Sequence, residues 1–231
     1  MKNRCGQRPL QLTHAVSGSG SVDTPWAVSL SKVSFGHHCT GTILSPMMIL
    51  TAAHCVTGEL FKRDQYKILA GVSDLQEIGG QTKSISKVDF HSKWRARGEH
   101  VIYFDVALIY LETKLTFSPT VQPICLPTQT NPVLPESMVG DAVTTVGWGR
   151  DNKDDFGKNI TAVDVTIRAS DECNYKYNNT NRRRDRLAVK VQLPSLLIRS
   201  QYCADNNINE DVGTCHGDSG GPSFIRYTWI E

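Results

Sequence analysis

Neither sign of charge dominates this sequence. Its 231 residues carry 25 Lys and Arg against 23 Asp and Glu, a net charge of +2. A balance so close to neutral gives no electrostatic reason to expect a nucleic acid or a membrane surface as partner. Long apolar runs are missing too. None approaches the ~20 residues of a membrane span. Met1 to His14 has basic residues but no apolar core, so it does not read as a signal peptide. Internal repeats and low-complexity segments are absent. What is left is a chain of a size suited to one all-β domain and, at 39% hydrophobic, able to bury a sizeable core.

Cysteine is not scarce. Seven of them suggest disulfides and an oxidising compartment. Their pairing cannot be read from spacing alone. The secretion signal that such a chain needs is expected outside this sequence. His38, Cys39, His54 and Cys55 raise the alternative of a zinc site, but their spacing fits no common ligand pattern. No metal and no cofactor is expected.

Short β-branched runs separated by polar or turn-like stretches organise the chain. His38 to Leu44, Ile49 to Thr51, Tyr66 to Val72, Lys83 to Phe90 and Val106 to Leu111 read as strands. A proline-bearing connector at Pro127 to Pro135 opens the second half. Ala142 to Gly149 and Ile160 to Ile167 are further strands, and Ser170 or Asp171 is placed to cap a helix start. Strands without alternating helices argue for barrels or sandwiches.

The chemistry gathers around Gly217-Asp218-Ser219-Gly220-Gly221-Pro222. Glycines this close let the backbone turn sharply and approach a ligand. A serine hydroxyl is a weak nucleophile until a base takes its proton. Thr51-Ala52-Ala53-His54-Cys55 offers the base, and imidazoles titrate near neutral pH. Asp105 opens the apolar run Val106-Ala107-Leu108-Ile109, which can bury its carboxylate against the imidazole.

The order His54, Asp105, Ser219, with Pro25-Trp26-Ala27-Val28-Ser29-Leu30 and Gly147-Trp148-Gly149, resembles the chymotrypsin-like serine proteases from Ala15 to Glu231. The resemblance implies two six-stranded antiparallel β-barrels, at about 15–126 and 127–231, after a propeptide tail at 1–14. It makes Ser219 the nucleophile, His54 the general base and Asp105 its orienting partner. The amides of Gly217 and Ser219 would form the oxyanion hole, each donor supplying ~3 kcal/mol. Asp218 would receive the freed amine of Ala15 on zymogen activation, although His14 stands where the family usually has Arg or Lys. Gly213, six before Ser219, would floor an uncharged specificity pocket that takes apolar or small side chains; Asp211 nearby is the charged alternative. Cys39–Cys55, Cys5–Cys125 and Cys173–Cys203 would be the bridges, with Cys215 left over. Val143 and Ile225 occupy the places of one further family bridge.

Only twelve residues follow Ser219, so the second barrel is expected to be incomplete at its C-terminus. Asn181-Arg182-Arg183-Arg184-Asp185-Arg186 reads as a solvated loop, with an exosite for an acidic partner or a proteolytic nick site as alternatives. Asn159-Ile160-Thr161 and Asn178-Asn179-Thr180 are glycosylation sequons in a secreted chain. The reading is a secreted, extracellular serine endopeptidase made as a zymogen. Its expected partners are protein substrates, an activating protease and protease inhibitors. The alternative from another class is a non-catalytic homologue that works as a binding or cofactor module.

Overall fold

A computed structural model of the protein describes residues 24–58, 61–97, 101–126, 135–150, 158–169, 171–172, 203–205, 214 and 216–224. In chain order the strands are β1 (Ala27–Lys32), β2 (Gly36–Ser45), β3 (Met48–Thr51), β4 (Tyr66–Ala70), β5 (Gln81–Phe90), β6 (Arg95–Arg97), β7 (Val101–Tyr103), β8 (Ala107–Leu111), β9 (Ala142–Gly147), β10 (Thr161–Arg168), β11 (Cys203–Asp205) and β12 (Ser223–Phe224). Six of them close a barrel in the order β1-β2-β3-β8-β5-β4. Its pairings are all antiparallel. A second sheet, β11-β10-β9-β12, does not close. This is the all-β architecture expected from the sequence. Among the described residues no helix is long and apolar enough to cross a membrane.

The barrel follows from a two-residue period. In β4, Tyr66, Ile68 and Ala70 are buried while Lys67 and Leu69 are less so; in β8, Ala107, Ile109 and Leu111 are buried in the same alternation. One face of each strand therefore lines the core. Val28, Leu30, Ile43, Ile49, Ile68 and Ile109 are wholly withdrawn from solvent there. Tyr66 to Val72 is shorter as a strand than expected. Gly71 ends it at φ +82, where a Cβ would also come within 2.8 Å of Val121 Cγ2. Val106 lies outside β8 and is exposed. β6, β7 and β11 have three residues each, too few to show a period; β1 is not among the strands expected from the sequence, although Val28 and Leu30 alternate with Ser29 and Ser31.

The chain divides into two compact units. One comprises Met1–Leu126, Thr144–Val163 and Thr214–Phe224; the other comprises Pro127–Val143, Asp164–Gly213 and Ile225–Glu231. The first holds the barrel and a second apolar cluster of Trp26, Ala27, Val146, Trp148, Ile160 and Phe224. Trp26 and Phe224 meet edge to face at 5.0 Å, and Trp148 Nε1–H donates to the Ser73 carbonyl at 3.0 Å. In the second unit β10 pairs with β11, and Arg168 Nε donates to Asp205 Oδ1 at 2.7 Å.

Ile109 has no exposed surface and lies opposite both Ile49 and Val88. Ile109→Ala is expected to lower unfolding stability by about 3 kcal/mol. Val106→Ala, three residues away and exposed, is expected to stay within about 0.5 kcal/mol of the parent. Urea titration of both variants checks the contrast.

Candidate active site

β2 is the strand that builds the site. Cys39, Gly41 and Ile43 alternate along it with Thr40 and Thr42, and all five are buried. Cys39 and Ile43 belong to the barrel core. The other face therefore buries polar side chains, which need partners there. Register adds a second device. Leu30 pairs with Cys39 but Ser31 pairs with His37, so His38 is an extra residue, a β-bulge. Bulges re-aim side chains. Here His38 turns outward and exposed, while His37 is buried on the Thr40 side.

Behind β3 a short 3-10 turn, Ala53–Val56, carries His54. The Cys39–Cys55 disulfide, with Cα atoms 6.2 Å apart, ties this turn to β2. Of the four residues considered as zinc ligands, Cys39 and Cys55 are thus bonded to each other. Cys125 and Cys203 are each disulfide-bonded as well. Cys5, Cys173 and Cys215 lie outside the described residues.

His54 and Asp105 come together. The backbone N–H of His54 donates to Asp105 Oδ1 at 2.8 Å, and Nδ1–H donates to Oδ2 at 2.6 Å. A carboxylate only accepts, so the proton of the neutral ring sits on Nδ1 and Nε2 is left bare. Burial alone would raise the Asp105 carboxyl. The bonds from the His54 ring and backbone outweigh it, helped by the His54 charge and the Ala53 N–H, and hold it below its ordinary value. Phe104 places this aspartate. It sits at φ +51, uncommon for an aromatic residue, with its ring stacked 4.8 Å from that of His91. His91 N–H donates to the Val106 carbonyl at 3.0 Å on the other side of Asp105.

Ser219 lies close by. Its carbonyl oxygen is 3.7 Å from Cys55 Sγ, and His54 Nε2 is 3.6 Å from the same sulfur. No hydrogen bond joins Ser219 Oγ to His54 among the described residues.

The turn around Ser219 is held through its carbonyls. His216 C=O accepts from Arg150 N–H at 2.8 Å. Gly217 C=O accepts twice, from His37 Nε2–H at 3.0 Å and from Thr40 Oγ1–H at 2.9 Å. Asp218 C=O accepts from Gly221 N–H, and Ser219 C=O from Thr40 N–H, both at 2.9 Å. In a trans peptide the N–H points opposite its C=O. The N–H groups of Gly217 and Ser219 therefore point away from Arg150 and Gly221, and no hydrogen bond from either to a protein acceptor is found among the described residues. Backbone N–H groups without a protein acceptor are the kind of donor that can stabilise negative charge.

Glycines keep the neighbourhood open. Gly149 N–H donates to Asp218 Oδ1 at 2.7 Å. A Cβ at Gly147 or Gly149 would run into the Asp218 carboxylate, and one at Gly220 would come within 2.6 Å of the Thr40 carbonyl. Ala15, Asp211 and Gly213 lie outside the described residues. Sequence reasoning missed Ser29, His37, Thr40 and Arg150. The adjacent pair His37-His38 on a strand was a usable signal, since one of two neighbours must face inward.

The Trypsin family model matches residues 15–228. The clotting factor G beta subunit of Tachypleus tridentatus is 26% identical over 231 residues, covering 97% of this chain and 70% of that protein. Ovochymase of Halocynthia roretzi is 29% identical over 215 residues, 92% of this chain but only 12% of that much longer protein. Among solved structures, neuropsin, a serine protease expressed in the limbic system of mouse brain, matches with a TM-score of 0.66 at 22% identity, over 87% of this chain and 77% of that one. That likeness is one of fold.

Burial lowers the His37 pKa to about 4; the Gly217 bond opposes this and the neighbouring His38 reinforces it. The folded ring stays neutral down to about 4, while the unfolded chain takes up a proton below the ordinary 6.5. Between the two the unfolded state binds more protons, so stability falls as pH drops from 6.5 to 4, by roughly 3 kcal/mol in all. His37→Gln keeps a donor toward Gly217 and does not titrate. It is expected to flatten that part of the stability–pH curve, and an unaltered slope would show that His37 does not produce it.

Proposed function

The chain belongs to the trypsin family of serine proteases, and from that premise we propose that it is a secreted endopeptidase working through Ser219, His54 and Asp105. The observation that carries this reading is the meeting, within one unit, of the His54–Asp105 pair with a turn whose Gly217 and Ser219 amides face no protein acceptor among the described residues. Ser219 Oγ attacks the scissile carbonyl as its proton passes to the bare Nε2 of His54. The two amides receive the negative oxygen of the tetrahedral intermediate. His54 then hands the proton to the leaving amine, and water repeats the sequence on the acyl-enzyme. Asp105 keeps the Nδ1–H tautomer throughout. The Oγ–Nε2 contact is one that tightens when substrate binds.

Gly213, uncharged, is the floor of the specificity pocket, and the substrates are proteins or peptides with apolar or small residues before the cut bond. The protein is made as a zymogen: residues 1–14 form a propeptide, another protease frees Ala15, and its amine pairs with Asp218. The family match beginning at residue 15 supports that boundary. Cys125 bonds to Cys5 and Cys203 to Cys173. Asn159, exposed on the surface, carries a glycan. Protease inhibitors are its other natural partners.

Assay of the activated protein on a panel of chromogenic peptides tests this. Ser219→Ala is expected to abolish turnover, and Asp105→Asn to lower kcat by ~10⁴-fold. Turnover that survives Ser219→Ala contradicts the mechanism. A preference for Arg or Lys before the cut bond contradicts the role given to Gly213.

A further inference from the structure

Thr40 touches the Ser219 turn in two places. Its backbone N–H takes the Ser219 carbonyl, and its hydroxyl takes the Gly217 carbonyl. It is itself fixed: it has no exposed surface, its own carbonyl accepts Thr51 Oγ1–H at 3.0 Å, and it lies on β2 opposite Ser29 of β1. Thr40 is one covalent hop from the Cys39–Cys55 bridge, which anchors the His54 turn. A single rigid residue thus ties the two halves of the machinery together.

Gly217 is the joint that needs holding. It sits at φ +102 and links the peptide that offers the first oxyanion donor to the one that precedes Asp218. Glycine resists neither rotation. Its carbonyl has two lone pairs, and both are used, by His37 and by Thr40. Any residue but proline at position 40 supplies the N–H bond to Ser219. Only one with a β-hydroxyl supplies the second donor.

We propose that the Thr40 hydroxyl is a positioning residue: by holding the Gly217 carbonyl it keeps the Gly217 amide aimed at the oxyanion, so that it acts on the transition state and not on substrate binding. The proposal rests on the protease reading above. It is separate from it, because the hydroxyl touches no reacting atom.

The test compares Thr40→Val, close in shape but without the hydroxyl, with Thr40→Ser, which restores it. For Val, kcat is expected to fall about 5–10-fold with KM within twofold, the scale of one hydrogen bond. Ser is expected to rescue most of that loss. A peptide aldehyde, whose adduct places an oxyanion in the site, should lose about the same factor in affinity for the Val variant, while the unreactive peptide amide of the same sequence loses none. Amide resonances of Gly217 and Ser219 should shift in Val and not in Ser. If Val does not fold, Thr40→Ala against Thr40→Ser carries the same comparison. A Val variant with parental kcat, equal losses for aldehyde and amide, or failure of Ser to rescue overturns the proposal. A parent protein that neither turns over peptides nor binds the aldehyde overturns the protease reading instead. The amide resonances then still decide whether the hydroxyl holds Gly217.

Discussion

Four consecutive carbonyls, those of His216, Gly217, Asp218 and Ser219, each accept a hydrogen bond: Asp218 from Gly221 within the turn, the other three from Arg150, His37 and Thr40 elsewhere in the first unit. A turn this rich in glycine would otherwise sample many backbone states, at a cost of about 1–2 kcal/mol per residue to fix. Satisfying every acceptor leaves the turn few alternatives, because a buried carbonyl without a partner is itself costly. Among the described residues the Gly217 and Ser219 amides show no protein acceptor, as the proposed mechanism requires.

The grip depends on how the barrel buries its second strand. A strand at a barrel surface ordinarily shows one face to water. β2 does not, since Thr40 and Thr42 are as hidden as Ile43. A buried polar side chain on that inner face needs a partner, and for the Thr40 hydroxyl the Ser219 turn supplies it in the Gly217 carbonyl. The bulge at His38 brings a second donor, His37, to the same place, with Ser29 Oγ 2.8 Å from its Nδ1. The Gly217 carbonyl only accepts, so His37 carries its proton on Nε2 and Nδ1 accepts the serine hydroxyl. A neutral ring serves this arrangement, and burial keeps it neutral. Close approach on the other side needs Gly147 and Gly149, because the Asp218 carboxylate occupies the space where their side chains would be.

Much of this was legible in the residues. The alternation of β4 and β8, the glycines about Ser219 and the small residues about His54 each point one way. Asp105 was less plain, because an aspartate at the head of an apolar run also fits a turn; its two bonds to His54 need the positive φ of Phe104, which nothing local to an aromatic residue announces. The support for the Ser219 turn was invisible. Which way His37 faces depends on a bulge set by pairing with β1, and the threonines of β2 look like ordinary strand formers. For His37 and Thr40 the role is set by contacts some 180 residues away. Three-residue strands such as β6 and β11 hold too few residues to show a period at all.

The proposed mechanism requires this turn to present two aligned donors to a developing negative charge. A crystal structure of the protein with a peptide boronate bound tests it most directly. The account predicts a tetrahedral adduct on Ser219 Oγ, with one boronate oxygen within about 3 Å of both the Gly217 and Ser219 nitrogens and with the Gly217 carbonyl still bonded to Thr40 and His37. An adduct whose oxygen points away from those amides, or a Gly217 peptide turned to present its carbonyl to the site, would contradict it.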